Sequence, residues 1–181
     1  MVRKILLFLM IVLLFGLVGC SDPTSDDVSI VIREGIDTIE INQAYQDSGA
    51  KAKAFGFIIS YEVVSNNVDS SVVGVYEIQY SVTYKEITKT CKRIVTVVDQ
   101  TAPVAALIAG LDTISRNEIW IDSSVEATDN SGVEPTIIIS GSVDTTTVGE
   151  YVITYTISDE SGNETILYRY VNVVDQTGNL Q

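Results

Sequence analysis

The chain has 181 residues, of which 11 are Lys or Arg and 24 are Asp or Glu, so its net charge is −13 at neutral pH. It contains no histidine, which removes the commonest general base and the commonest protein ligand of transition metals. The acidic balance argues against nucleic acid as a partner and against electrostatic adhesion to anionic lipid. With only two cysteines, one of them near the N-terminus, we expect no framework of intrachain disulfides.

Residues 1–19 have the pattern of a cleaved signal peptide. Arg3 and Lys4 form a short basic region, and a 14-residue run without charge, Ile5 to Val18, follows them. A helix needs about 20 apolar residues to span a bilayer, so this run fits the hydrophobic region of a signal peptide better than a membrane span. The run ends in Leu-Val-Gly-Cys at positions 17–20, which resembles the lipobox of bacterial lipoprotein precursors. The resemblance implies cleavage before Cys20 and a diacylglyceryl thioether on its sulfur. An ordinary secretory signal and an uncleaved anchor are the alternatives.

The segment at 20–27 is polar and contains a proline, which predicts a flexible tether. The sequence that follows it consists of two similar copies. Gly35–Ile39 recurs as Gly110–Ile114 at an offset of 75, and Arg93–Thr101 recurs as Arg169–Thr177 at an offset of 76. A near-constant period over this length indicates duplicated domains, with one residue added in the turn before the last strand. We predict domain 1 at residues 28–100 and domain 2 at residues 103–177. Pro103 stiffens the short connector, so we expect a semi-rigid pair.

Both copies show the side-chain alternation of β-strands. Tyr151, Ile153, Tyr155 and Ile157 fall on one face of a strand whose other face is more polar. We expect about seven strands in each copy and no helix, which favours a β-sandwich. In the first copy the predicted strands are Ser29–Arg33, Thr38–Ile41, Ala50–Lys53, Phe57–Val63, Val75–Tyr84, Glu86–Thr90 and Arg93–Val98.

Aromatic side chains are expected to supply much of each small core. The inward tyrosines and Trp120 are the largest apolar groups available to it. Tyr76 and Tyr151 stand where a tyrosine-corner contact closes a sandwich.

The motif Gly-x-Tyr-x-Ile-x-Tyr, followed by Asp-x-x-Gly-Asn and an exit similar to Arg-x-Val-x-Val-x-Asp-x-Thr-x-Pro, resembles a bacterial immunoglobulin-like family. This family is the Ig-like domain of the pesticidal-crystal-protein type, which is related to hyalin-repeat modules. The second copy carries the motif at Gly149, Tyr151, Tyr155, Asp159, Gly162, Asn163 and Arg169. The first copy keeps Gly74, Tyr76, Tyr80 and Arg93 but has Tyr-Lys-Glu-Ile at 84–87 in place of Asp-x-x-Gly-Asn, which leaves its turn geometry open. The resemblance implies two tandem Ig-like β-sandwiches used as spacers or adhesive modules, with no catalytic residues.

Most of the acidity belongs to the second copy: residues 103–177 carry 12 acidic and 2 basic side chains, whereas residues 28–100 carry 9 and 7. Two of its loops, Asp129–Gly132 and Asp159–Glu164, are rich in oxygen ligands for Ca²⁺. Neither loop has EF-hand spacing, and hairpin turns require the same residue types. We therefore predict no metal and no cofactor.

Two further candidates for chemistry have simpler interpretations. A pair of carboxylates for glycoside hydrolysis needs a cleft that two small sandwiches rarely provide, so we predict no enzymatic activity and no catalytic residues. Cys91 aligns with an apolar residue of the second copy, Leu167, which favours a buried thiol over a reactive one despite the neighbouring Lys89, Lys92 and Arg93.

Together these patterns predict a lipoprotein at the extracytoplasmic face of a bacterial cell membrane. Its Ig-like repeats are expected to act as a stalk or as an adhesion module toward a protein or glycan, with the N-terminal lipid as membrane contact and no nucleic acid as partner. A solute- or carbohydrate-binding lipoprotein, or an accessory fragment of a secreted hydrolase, are the alternatives.

Replacement of the lipobox cysteine tests the anchor. We expect Cys20→Ser to abolish incorporation of labelled fatty acid, because the thioether requires the thiol, and to change the mass of the processed chain. Incorporation of the label at the level of the unmodified chain would rule out the lipobox assignment.

Overall fold

The structure, a computed structural model, describes residues 27–175. The signal peptide, Cys20 and nearly all of the tether lie outside the described residues, as do residues 176–181. The described chain contains thirteen strands and no helix, which confirms the all-β fold class. Within residues 27–175 there is no helix long and apolar enough to cross a membrane. The chain divides into two compact units, and unit 1 ends at Val98 where unit 2 begins at Asp99.

Unit 1 is a sandwich of two sheets. Its strands are β1 (Val28–Ile32), β2 (Thr38–Glu40), β3 (Ala50–Ala54), β4 (Phe57–Ile59), β5 (Glu62–Asn66), β6 (Gly74–Tyr84) and β7 (Ile87–Val98). One sheet has the order β1-β3-β4, and the other has the order β2-β7-β6-β5 with β2 parallel to β7. The core between them contains Ile30, Ala52, Ile78, Tyr80 and Val95. The residues of β6 and β7 alternate between buried and more accessible, as a strand with one face on the core requires.

Unit 2 repeats this plan with one strand fewer. Its strands are β8 (Val104–Leu107), β9 (Thr113–Ser115), β10 (Val125–Thr128), β11 (Thr136–Ser140), β12 (Gly149–Ser158) and β13 (Glu164–Val174). The sheets have the orders β10-β8 and β11-β12-β13-β9, again with a parallel pair, β13 and β9. Val125, Ile153, Tyr155 and Ile157 form one buried cluster of its core, and Ile114, Val171 and Val173 are also buried.

The residue added in the second copy lies at the tip of its long hairpin. Tyr76 pairs with Val95 in unit 1, and Tyr151 pairs with Val171 in unit 2, so the offset changes from 75 to 76 across the turn, as predicted. In unit 1 only two residues separate β6 from β7, and Lys85 adopts a positive φ of 57° to make the tight turn. In unit 2 the turn has five residues, 159–163, and Gly162 supplies the positive φ of 88°.

Three details of the predicted strands are wrong. The predicted strand Phe57–Val63 is two strands in different sheets, because pairing passes from β3 to β6 between Ile59 and Glu62. The predicted break before Arg93 is absent, since alternation continues through Cys91 and Arg93 along the single strand β7. Unit 2 has no counterpart of β4, because a turn at Asp129–Gly132 and a proline without an N–H, Pro135, occupy that segment.

The tyrosine-corner prediction is confirmed in both units. The hydroxyl of Tyr76 donates to the carbonyl of Val72 at 2.7 Å, and that of Tyr151 donates to the carbonyl of Thr147 at 2.8 Å. Each bond ties a long strand to the loop four residues upstream, which is the contact that a tyrosine corner makes. Trp120 belongs only partly to the core, where it packs half-buried against the cluster of unit 2.

Candidate functional site

Among residues 27–175, one charged side chain is buried in each unit, Arg93 at 0% exposure and Arg169 at 2%. Buried charges with altered pKa values are a usual mark of functional sites. They also occur where a fold uses a charge for structure. The contacts of each arginine distinguish the two possibilities.

In unit 2, Arg169 contacts groups from both sheets. Its Nη1 donates to Asp112 at 2.7 Å, and its Nε donates to the hydroxyl of Tyr155 at 3.2 Å. Its Nη2 donates to the backbone carbonyls of Ile108 and Ser124 at 2.5 and 3.3 Å. The guanidinium therefore joins both ends of the loop between β8 and β9, and the end of the loop before β10, to strand β12.

A second carboxylate completes this network. The hydroxyl of Tyr155 donates to Asp122 at 2.5 Å, and the Nε of Arg169 lies 3.6 Å from the same oxygen. The backbone N–H of Ser124 also donates to that carboxylate, at 2.9 Å. Oδ1 of Asp122 is thus held by three groups, which gives this carboxylate a structural role.

Unit 1 has the same network. Arg93 donates to Asp37 at 2.5 Å and to Tyr80 at 3.4 Å, and Tyr80 donates to Asp47 at 2.5 Å. Gly35 allows this packing, since a Cβ there would overlap the hydroxyl of Ser48 and crowd Nη1 of the arginine.

The pKa values follow from these contacts. Burial alone would lower the pKa of Arg93, but its hydrogen bonds to Asp37 and Tyr80 outweigh burial and raise it. Burial, followed by the hydrogen bond to Asp47, raises the pKa of Tyr80, and burial with the hydrogen bond to Asp122 raises that of Tyr155. These shifts keep the guanidinium charged and the phenols neutral. The charged guanidinium and the neutral phenols stabilise the core, and none of these groups acts as an acid or a base near neutral pH.

A surface cleft of about 500 Å³ lies on unit 2, around Trp120. It is lined by Ala109, Gly110, Leu111, Ile114, Ile119, Trp120, Ile121 and Ser123. No titratable side chain is among these residues, so the carboxylate pair considered from composition is not brought together there. The indole N–H of Trp120 donates to the carbonyl of Leu111 at 2.9 Å, which leaves the Ser123 hydroxyl as the polar side-chain group of the lining.

The rim of this cleft is unusually apolar for a surface. Ile119 is 86% exposed, Ile121 is 77% exposed and Leu111 is 72% exposed. These residues flank Trp120 in the irregular segment between β9 and β10 and in the loop before β9. Contiguous exposed apolar side chains of this kind mark contact surfaces more often than isolated ones do.

Three carboxylates meet at another place on unit 2, which we call the acidic corner: Asp99, Asp129 and Asp159. One oxygen of each lies within 4.8 Å of an oxygen of each of the others. The sequence pointed to the loops of Asp129 and Asp159 separately. It gave no reason to join them to Asp99, which lies at the start of unit 2.

The loops of the acidic corner are shaped by local hydrogen bonds. Oδ1 of Asp129 accepts from the N–H and the hydroxyl of Ser131 at 2.8 and 2.6 Å. Asp159 accepts from the backbone and side-chain amides of Asn163 at 2.8 and 2.7 Å. Burial by itself would raise the pKa of Asp159, but the bonds from Asn163 lower it, so this carboxylate is charged at neutral pH. Asn163 also donates to the backbone carbonyl of Asp99 at 3.2 Å.

The predicted burial of Cys91 is confirmed. Its side chain is 4% exposed and lies in the core of unit 1. The lipidation residue Cys20 lies outside the described residues.

Residues 112–173 match the family model described as "Bacterial surface protein, Ig-like domain". The matched range lies within unit 2 and includes Tyr151, Tyr155 and Arg169. No curated protein matches the chain. The match supports the Ig-like assignment at the level of a bacterial surface module, a kind of domain that is typically non-catalytic.

Removal of the buried charge of unit 2 is expected to unfold that unit selectively. Arg169→Met leaves Asp112 and Asp122 without their cation and two backbone carbonyls without a donor, which should cost about 3–5 kcal/mol of unfolding free energy. The only tryptophan of the chain, Trp120, makes fluorescence a specific reporter of unit 2. The matched control is Arg116→Gln, which breaks an exposed pair with Asp175 (2.9 Å) and should cost at most about 1 kcal/mol. Equal losses in the two variants would refute the role assigned to the buried network.

Alkaline pH should destabilise both units through their buried phenols. The pKa of Tyr155 in the folded state lies above its ordinary value of 10.0. Its contribution is therefore fully present below about pH 10 and is lost as pH rises from there through the raised pKa. In Tyr155→Phe, unit 2 should be less stable at pH 7 by about 1–3 kcal/mol but should fall less steeply between pH 9 and 11. Denaturant midpoints followed by Trp120 fluorescence measure both effects. The control is Tyr168→Phe, at an exposed tyrosine, in which the stability of unit 2 should decrease at alkaline pH as it does in the native chain.

Proposed function

From the surface-type Ig-like match of unit 2, we propose that the chain is a lipid-anchored protein of the extracytoplasmic face of a bacterial membrane. Its Ig-like units hold a protein-contacting surface away from the bilayer, and the protein acts by binding. The match of residues 112–173 carries this proposal. The basic, apolar and cysteine-terminated N-terminal segment supports the anchor, because these features occur together and in the order that a lipoprotein signal requires.

The cleft around Trp120 is the contact surface that we propose. A binding site for a protein partner needs apolar side chains that lose contact with water, with an aromatic residue near the centre. Trp120 provides the aromatic residue, and Ile119 and Ile121 provide apolar area beside it. Trp120 is also fixed in orientation by its bond to the carbonyl of Leu111, so little conformational entropy is lost when a partner covers it.

The lining chemistry favours a protein over a glycan. Sugars present hydroxyl groups that require several hydrogen-bond partners. Among the side chains of this lining, only the Ser123 hydroxyl is available to form such a hydrogen bond. A protein segment that inserts an apolar side chain needs no such partners.

A binding experiment tests the surface. The purified chain is used as bait against bacterial cell-wall and host-cell extracts. The double variant Ile119→Ser/Ile121→Ser, at positions exposed enough to keep the fold, should weaken capture of the same partner at least about tenfold.

Ile138→Ser is the matched control. Ile138 lies on β11 of the same unit, is 59% exposed and is not part of the cleft lining. Capture should be unchanged in this variant. Capture that the double variant does not weaken, or a partner released equally by both changes, would contradict the assignment of the cleft.

A further inference from the structure

We propose that the acidic corner of unit 2 binds one Ca²⁺ ion through the carboxylates of Asp99, Asp129 and Asp159. This inference does not depend on the proposed function, and it differs from the expectation that the sequence supported, which was that no metal binds.

The spacing of the three carboxylates fits a single ion. Ca²⁺ binds oxygen ligands at about 2.3–2.6 Å, so two ligands on opposite sides of one ion are about 4.6–5.2 Å apart at most. The three carboxylate oxygens all lie within 4.8 Å of one another. They come from three segments that only the fold brings together: the start of unit 2, the loop after β10 and the loop after β12.

Unit 2 offers no side-chain cation to balance these charges. Residues 99–175 contain two basic residues, Arg116 and Arg169. Arg116 pairs with Asp175 at 2.9 Å, and Arg169 is buried in its network with Asp112. Three like charges at this distance repel one another, and the cations of this unit are already engaged elsewhere.

A buried oxygen at the corner lacks a hydrogen-bond donor. Oδ1 of Asp129 accepts both bonds from Ser131, whereas Oδ2 is inaccessible to solvent and has no hydrogen-bond partner among the described residues. A carboxylate oxygen can only accept, and a buried acceptor without a partner is rare because nothing compensates for its lost hydration. A bound cation provides that compensation. The unpaired oxygen therefore points to an ion independently of the clustering of the three carboxylates.

The two positions of unit 1 that correspond to Asp129 and Asp159 are not acidic. At an offset of 75, Ala54 and Tyr84 take the positions of Asp129 and Asp159. The rings of Phe55 and Tyr84 meet edge to face with centroids 5.8 Å apart, and the Lys85 ammonium lies 5.6 Å from the Tyr84 ring. The fold therefore does not require carboxylates at this position, and their presence in unit 2 alone needs a separate reason.

The ligand set selects a hard cation. Carboxylate and carbonyl oxygens suit Ca²⁺ and Mg²⁺, whereas Zn²⁺ and Cu²⁺ favour imidazole and thiolate. The chain has no histidine, and Cys91 lies in the core of unit 1. Mg²⁺ demands close octahedral geometry and keeps most of its water, so three carboxylates from separate loops suit the larger and less demanding Ca²⁺.

The test is a calcium titration of the full chain after treatment with a chelator. Calorimetric titration should give one Ca²⁺ per chain, with an affinity in the range of extracellular modules, a Kd of about 0.1–1 mM. At 10 mM CaCl₂ the ratio of folded to unfolded unit 2 should then rise about 10- to 100-fold over the chelated state. Trp120 fluorescence reports this as a higher midpoint of thermal unfolding.

Two substitutions separate calcium binding from a general effect of charge. Asp129→Asn should abolish the calcium response while leaving unit 2 folded in chelator, because the exchange relieves repulsion and keeps the side-chain shape. Glu126→Gln removes the same charge from an exposed position on β10 of the same unit and should keep the full calcium response. A native chain that does not respond to CaCl₂, or an Asp129→Asn variant that responds as the native chain does, overturns the proposal. An equal response to MgCl₂ at the same concentration overturns the assignment to Ca²⁺.

Discussion

Each unit depends on one buried guanidinium. An arginine side chain stays protonated at any accessible pH, so a fold that buries it must provide anions and carbonyls around it or fail to form. Arg169 meets this demand with contacts from the loop between β8 and β9, the loop before β10, and strand β12. Those segments are held together across the sandwich by one side chain. This matters in a unit with seven buried apolar side chains among its described residues, since a small domain has little hydrophobic burial to spare.

Because the buried charges serve stability, functional chemistry is left to the surface. The phenols of Tyr80 and Tyr155 are neutral at physiological pH and hydrogen bonded to carboxylates, so neither is available to a substrate. The surface of unit 2 has two distinct features, the apolar cleft around Trp120 and the acidic corner. They are lined by different residues, apolar side chains in the first and carboxylates in the second.

The two units show which parts of a duplicated domain stay constant. The arginine, its tyrosine and its two carboxylates occur in both with nearly the same distances, because a change in any one leaves a buried charge unpaired. The hairpin tips differ freely, since loop residues make few contacts that the rest of the fold requires. In unit 1 the tip is a two-residue turn beside an aromatic pair, and in unit 2 it is a five-residue turn that carries Asp159. The divergence therefore lies where a ligand can be gained without loss of stability.

The sequence by itself determined the all-β class, the period of the repeat, the position of the added residue, the tyrosine corners and the burial of Cys91. All of these depend on alternation or spacing along one strand or one hairpin, which is local information. The same alternation places Arg93 inward between Cys91 and Val95. An inward arginine in the pattern of a strand therefore indicates the buried network, although the family motif alone does not. Only the tertiary structure decided which sheet each half of Phe57–Val63 joins, how much of Trp120 is covered, and that Asp99, Asp129 and Asp159 meet. Each of those aspartates is explained locally by its turn or connector, and thirty residues separate each from the next. Their proximity follows from pairing between distant strands, which no local pattern encodes.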